Sequence, residues 1–293
     1  MKTREAFEPY MAHMATMGMT RKTVENDKIL LYGTLSHSIQ DMEIADIRMA
    51  DVAKVIEAGR RHGRYGAQRS VVVLRKLVKF AKDSGETVAI DWREIKIPNV
   101  PKKQNEYLSE EDLEALLNAI DLTTRAGIRT RALLEVLYAT GMRIGEAISL
   151  DKEDIDWENK EAIVTNVKSK DREKVYFSNR SLDWLKRYLE SRKDDNPALF
   201  ISGRARMVRS TSGNYIRIHL QQLADKLGIR KTIKHHLFRK TFVTHLLQRK
   251  ADIIAVRDLA RHRSERTTLQ SYAAVNKERS KAVHADIIGG LLA

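Results

Sequence analysis

The sequence predicts a mainly α-helical protein with a small antiparallel β-sheet, arranged in two domains. Apolar residues recur at three- and four-residue intervals over most of the chain, the pattern of helices that bury one stripe. Runs that favour strands are concentrated between Ile155 and Phe177. The length of 293 residues and the 42% hydrophobic content supply two cores, and two of the four prolines, Pro98 and Pro101, mark a place to divide them.

Residues 1–97 read as a helical bundle. Phe7, Tyr10, Met11 and Met14 share one helical face, and Val24, Ile29 and Leu30 read as the apolar positions of a second helix. Apolar positions around Leu35 and Ile39 follow, then Val52, Val55 and Ile56. A helix from about Gln68 carries Val71, Val72, Leu74, Leu77, Val78 and Phe80 and ends near Ser84-Gly85, where glycine suits a helix C-terminus. Arg21, Lys22, Arg60, Arg61, Arg64, Arg69, Arg75, Lys76 and Lys79 accompany the polar faces of these helices, and those from Arg60 to Lys79 are collectively able to line a duplex backbone.

Residues 98–106 read as a linker, because the prolines block helix continuation and favour extended backbone. The second domain spans 107–293. Ser109 followed by Glu110, Glu111 and Asp112 is an N-cap with a negative first turn, ahead of the apolar stripe Leu113, Leu116, Leu117 and Ile120. A helix from about Ile128 ends at Thr140-Gly141, and Arg143 opens the next, to Leu150. Glycine at the break permits a sharp turn. Ile155 and Trp157, Ala162 to Val164, and Val175 to Phe177 form a three-stranded antiparallel sheet with a basic turn at 168–172. Helices at 181–191 and 214–227 flank a basic loop, 203–213, whose Arg204, Arg206 and Arg209 either touch phosphates or are simply solvated. From Phe238 to Leu247 the residues Phe238, Phe242, Leu246 and Leu247 predict an amphipathic helix. A further helix at 252–260 has Ile253, Ile254, Val256 and Leu259 as its apolar side. Thr267-Thr268 suit an N-cap for a short helix carrying Tyr272, and 276–293 reads as a C-terminal packing helix, in cis or in trans.

Charge narrows the function. A formal net charge of +14 draws the chain to polyanions, with nucleic acid as the leading partner and salt-dependent binding as the consequence. Zero cysteines exclude a disulfide framework and thiolate metal sites, and fit a reducing cytoplasm. No apolar run approaches a membrane span and the N-terminus lacks a signal peptide's apolar core, so the expectation is a cytoplasmic protein with no membrane partner. No carboxylate cluster at metal-ligand spacing lies beside the motifs below, and there is no Walker-type loop; no cofactor or metal is expected. His235 and His236 are adjacent and diverge on a helix, which argues against a zinc site.

The stretch Lys234 to Tyr272 concentrates the polar groups with chemical potential. His236 and Arg239 lie three apart at a helix start, where unsatisfied N–H groups already favour an anion. Arg261-His262 follow, then Tyr272 ten residues after that histidine. Together with TGMRIGEAISL around Arg143, this order resembles the tyrosine recombinases, the phage integrase and Xer group. The resemblance implies a helical, SAM-like core-binding domain followed by an α-rich catalytic domain. It implies that Arg143 contacts the scissile phosphate with Glu146 in support. Tyr272 is the implied nucleophile, and a hairpin lysine is implied as well, best matched by Lys168 with Lys170 as second choice. Arg261 stands where the family usually has glycine, and Lys240 where a histidine is frequent.

The chemistry suits these groups. In-line attack on a phosphodiester builds charge on the nonbridging oxygens, which Arg143, Arg239, His236 and His262 can meet with fixed donors. The Tyr272 phenol becomes a nucleophile once its proton is removed, and Lys168 can protonate the leaving 5′ oxygen. The resemblance further implies a 3′-phosphotyrosyl intermediate, a specific recombination site in double-stranded DNA, and a homotetramer on two such sites. The length favours a compact Xer-like layout over one with an extra arm-binding domain. Two alternatives share parts of this pattern: a type IB topoisomerase-like strand-passing enzyme, and a catalytically inactive DNA-binding regulator.

Overall fold

The computed structural model describes residues 1–39, 41–101, 106–165, 171–203, 205–208 and 213–262. The chain divides into two compact units, 1–102 and 103–293.

The N-terminal unit is helical: α1 (Phe7–Thr16), α2 (Arg21–Leu30), α3 (Ser36–Ile39), α4 (Met49–Arg60) and α5 (Gly63–Asp83). A π-helical turn over Leu31–Leu35 joins α2 to α3. Thr20 caps α2 by accepting from the Thr23 N–H, and Gly85 ends α5 at φ +88°, a value that glycine adopts without penalty. Phe7, Tyr10, Met11, Met14, Leu31, Val55, Leu74 and Leu77 lie in one core. The apolar reading of α2 fails at one residue: Ile29 is 66% exposed, while Asp27 is buried. Tyr10 donates to Asp27 at 3.1 Å, and Lys76 of α5 pairs with it at 3.0 Å, so a buried charge replaces apolar packing there. A carboxylate with such partners tolerates burial that an isolated one does not.

The C-terminal unit opens with α6 (Glu110–Asn118), α7 (Arg125–Thr140) and α8 (Ile144–Ser149). The Ser109 hydroxyl accepts from the Asp112 N–H at 3.1 Å, and Thr124 caps α7 in the same way at 3.0 Å. Strands β1 (Ile155–Asp156), β2 (Glu161–Thr165) and β3 (Arg172–Tyr176) form an antiparallel sheet in the order 1-2-3, with Ala162 opposite Val175 and Val164 opposite Glu173. Helix α9 (Asn179–Glu190) packs on α7. A second, two-stranded sheet follows, β4 (Ile201–Ser202) with β5 (Ala205–Arg206), the latter inside the segment 203–213 expected to be a loop. Two-residue strands carry too little alternation to be read from sequence.

Helices α10 (Asn214–Lys226), α11 (His235–Gln248) and α12 (Ile253–Leu259) complete the described unit. The expected amphipathic character of α11 is not observed. Leu237, Phe238, Arg239, Thr241, Val243, Thr244, His245 and Leu247 are all buried, so this helix is enclosed on several sides and packs on α7. On α12 only Val256 is fully buried, and Ile254 is 57% exposed. Lys168, Lys170, Arg204, Arg209, Tyr272 and the segment 276–293 lie outside the described residues. Among the described residues, no helix is long and apolar enough to cross a membrane.

Candidate active site

Helix α7 ends at Gly141, which adopts φ +60°. A Cβ there would stand 2.5 Å from the Phe242 ring, so both the turn and the approach of α11 demand glycine. Two residues later Arg143 is the N-cap residue of α8. The Arg143 backbone N–H donates to Glu146 Oε2 at 2.8 Å, and its guanidinium donates to Glu146 Oε1 at 2.6 Å. Glu146 is only 2% exposed, whereas the Arg143 side chain is 44% exposed. A buried carboxylate therefore aims a solvent-facing guanidinium at the mouth of the site.

Arg239 approaches from the second turn of α11 and is 2% exposed. It donates to the Gly141 carbonyl at 2.7 Å and to the Ala260 carbonyl, the C-terminal caps of α7 and α12. Carbonyls at helix C-termini carry partial negative charge, which suits a buried cation. These bonds use two of the five guanidinium N–H donors. Burial, then the positive charges of Arg143 and Arg261, push the Arg239 pKa down to about 9, against smaller support from Glu146 and Glu173. It remains charged at neutral pH, in a region with an excess of positive potential.

After α12 the chain makes a turn with a left-handed residue. The Arg261 N–H donates to the Asp258 carbonyl at 2.9 Å and the His262 N–H to the Arg257 carbonyl at 3.1 Å, with Arg261 at φ +52°. Glycine is the residue that ordinarily serves this position. Here an arginine serves it, and its buried guanidinium donates to Glu146 Oε2 at 2.8 Å. Glu146 thus holds two arginines from opposite ends of the site. Burial works to raise its pKa, but the Arg143 N–H, then Arg261 and the Arg143 guanidinium outweigh it, and the carboxyl is held below its usual range.

His262 is half-buried. Burial first, then Arg239, Arg143, His236 and Arg261, push its pKa down to about 4, so the imidazole is neutral at physiological pH. His236 lies exposed in the first turn of α11. Arg143, His236, Arg239 and His262 are thereby brought within electrostatic reach of one another. Lys168 and Tyr272 fall outside the described residues, as does the rest of the chain beyond His262.

Three participants were not legible beforehand. Glu173 on β3 stands 3.5 Å from Arg261 Nε. Arg206, expected to be open to phosphate, instead caps the far end of α8: it donates to the carbonyls of Ile148, Ser149 and Leu150 and pairs with Asp151. Thr241 on α11 accepts from the Leu108 N–H at 3.0 Å and donates to the Leu237 carbonyl at 2.9 Å, fixing the helix that carries Arg239. No local pattern signals these three contacts; of the unexpected features of the site only Arg261 left a trace in sequence, as an arginine where the resembled family usually has glycine.

The arrangement offers fixed donors and positive charge to an anion at the junction of α8, α11 and α12. Residues 106–279 match the Phage integrase family. The chain is 38% identical to tyrosine recombinase XerD of Pseudomonas putida over 208 residues, covering 68% of this chain and 67% of that protein. It is 29% identical to tyrosine recombinase XerD of Corynebacterium glutamicum over 301 residues, covering 97% of each. Among solved structures it is similar in fold to the Tn1549 transposon integrase in complex with circular intermediate DNA, with a TM-score of 0.79 at 18% identity over 96% of this chain and 98% of that one. The conjunction of that match with two arginines and a neutral histidine at one helix junction places the chain in the phage integrase family, as a tyrosine recombinase.

Proposed function

We propose that this chain cleaves and rejoins double-stranded DNA at a specific recombination site, with Tyr272 as nucleophile and a 3′-phosphotyrosyl intermediate. The observation that carries the reading is the convergence of Arg143, Arg239 and His262, with the Arg239 pKa lowered by burial first and then by the neighbouring cations. Such a cluster is destabilised by its own repulsion and relieved by an entering phosphate.

In this reading the Tyr272 oxygen attacks phosphorus as the bond to the 5′ oxygen breaks. The phenol proton leaves to a base, and Lys168 protonates the departing 5′ oxygen. Arg143 presents its exposed fork to the nonbridging oxygens, and Arg239 supplies fixed charge from below. Neutral His262 can offer its ring N–H to the same oxygens, and His236 contributes from the mouth. Bond energy is retained in the phosphotyrosyl linkage, so a second 5′ hydroxyl can displace the tyrosine without nucleotide hydrolysis.

The proposal has three finer parts. The N-terminal helical unit acts as the core-binding domain and the C-terminal unit as the catalytic domain. Strand exchange uses four protomers on two duplex sites. The protein acts in the cytoplasm. A topoisomerase-like or purely DNA-binding role is not favoured, because the XerD relatives are themselves named as recombinases.

The test starts from a duplex selected from random sequence for binding, prepared with a nick that traps cleavage. On a denaturing gel the unmodified chain forms a covalent adduct, and Tyr272→Phe binds equally but forms none. An adduct persisting in Tyr272→Phe reassigns the nucleophile. Absence of any adduct from the unmodified chain on a verified site returns the reading to a DNA-binding regulator.

A further inference from the structure

Arg261 is the least expected residue of the site. It occupies a left-handed turn, φ +52°, where a side chain beyond glycine costs backbone energy. Its guanidinium turns inward, with the side chain 3% exposed, and meets Glu146 at 2.8 Å. Its Nη1 also donates to the Leu259 carbonyl at 3.4 Å, and its Nε faces Glu173 Oε2 at 3.5 Å. Neither of those last two atoms makes a hydrogen bond, although both are buried. Three elements therefore meet on one side chain: α8 through Glu146, the turn after α12 through its own backbone, and β3 through Glu173.

A residue retained only for its turn would be better served by glycine. A buried cation linked to a carboxylate 115 positions away has another role. Glu146 holds the Arg143 backbone and fork, and without Arg261 the hydrogen bonds to that carboxylate would come from Arg143, a side chain with solvent to escape to. Arg261 supplies the second, immobile counter-charge. By occupying the turn itself, it also fixes the backbone from which His262 projects.

We propose that Arg261 is a positioning residue for strand cleavage, acting through Glu146 on the Arg143 fork and through its own turn on His262. The proposal rests on the reading of this junction as the seat of a scissile phosphate.

The decisive comparison is among Arg261→Gly, Arg261→Ala and Arg261→Lys in the full chain, on the nicked duplex at saturating protein. Single-turnover adduct formation is measured beside duplex affinity and across pH. Gly and Ala are expected to keep affinity but to slow adduct formation by about tenfold to a hundredfold, the scale of a misplaced catalytic group. Lys, which keeps the charge, recovers much of that rate. The acid limb of the pH–rate profile moves upward in Gly and Ala, because Glu146 then has only the Arg143 N–H and guanidinium to keep it ionised. Of the other groups facing the pair, Arg239 on α11 stays charged, Glu173 on β3 loses its cationic neighbour in Gly and Ala, and His262 is relieved of one positive charge in those two variants, which moves the acid limb in the same direction.

Gly or Ala cleaving at the unmodified rate with an unmoved acid limb overturns the proposal, as does a loss confined to affinity. Should both truncations fail to fold, Arg261→Lys and Arg261→Gln decide. A slower rate at equal affinity, worse for Gln, supports the role, and unmodified rates in both overturn it. Failure of the parent reading looks different, since the unmodified chain itself then forms no adduct on a duplex it binds.

Discussion

Replacing Glu146 by glutamine tests the electrostatic frame most directly. The substitution keeps the volume and removes the charge that accepts three bonds, at 2.8, 2.6 and 2.8 Å. The pair with Arg143 contributes little to stability, because that side chain is 44% exposed and water replaces the carboxylate. Arg261 has no such exit, and would keep as a charged partner Glu173 at 3.5 Å, beside the Leu259 carbonyl at 3.4 Å. Orphaning a buried charge costs several kcal/mol, and with Glu173 as partial compensation we expect about 3 kcal/mol. For a unit of this size that corresponds to a fall of about 6–12 °C in the transition of the C-terminal unit, read by calorimetry of the full chain. Adduct formation should fall about a hundredfold as the Arg143 fork loses its support. The double variant Glu146→Gln, Arg261→Gln should be less destabilised than the sum of the singles by about 1 kcal/mol or more, since the second change removes the orphan. An unmoved transition in Glu146→Gln, or strict additivity in the double variant, refutes the idea that this carboxylate balances two arginines.

Two further outcomes follow from the packing of α11. Thr241→Val keeps shape but leaves the buried Leu108 N–H without its acceptor, so urea denaturation should register a loss of about 2 kcal/mol; a loss near zero would mean that Leu108 finds another partner. His245 is buried, with Nε2 donating to the Leu108 carbonyl and Nδ1 paired with the Tyr138 hydroxyl, both at 2.9 Å. Burial, only partly offset by the Leu108 carbonyl, lowers its pKa below the ordinary 6.5. The unfolded chain therefore takes up a proton that the folded chain refuses, and stability falls as pH drops below about 6.5. His262 adds to the loss with the same sign down to about 4. Thermal melts between neutral and mildly acidic pH should be steeper for the unmodified chain than for His245→Gln, and equal slopes would exclude His245 as a contributor.

Much of the secondary structure was legible because its causes are local. Ser109 caps α6, Gly141 ends α7 and Gly85 ends α5 for reasons contained within a few residues. The alternation from Ile155 to Phe177 sufficed for three strands. Where local pattern misled, partners distant in sequence had decided the outcome. Asp27 is buried and Ile29 exposed because Tyr10 and Lys76 reach the former across the bundle. Helix α11 reads as amphipathic, yet its polar Thr241, Thr244 and His245 are buried because backbone groups and Tyr138 satisfy them or pack around them. Arg206 looked like a phosphate ligand on a loop and is instead consumed by the end of α8.

The amino-acid order alone determined which groups are available for the chemistry, since Arg143, His236, Arg239, His262 and Tyr272 stand in motifs whose residue types and spacing suit an anion and a nucleophile. It also placed Arg143, His236 and Arg239 near helix starts, because capping and periodicity act over three or four residues. Only the folded chain decided that Arg239 is sunk beneath the site on two helix C-termini, that Glu146 is shared, and that Arg261 completes the frame from a position suited to glycine. Those are contacts between residues 98 and 115 positions apart, and burial and charge pairing at that range are set by how helices pack, not by the order in which their residues occur.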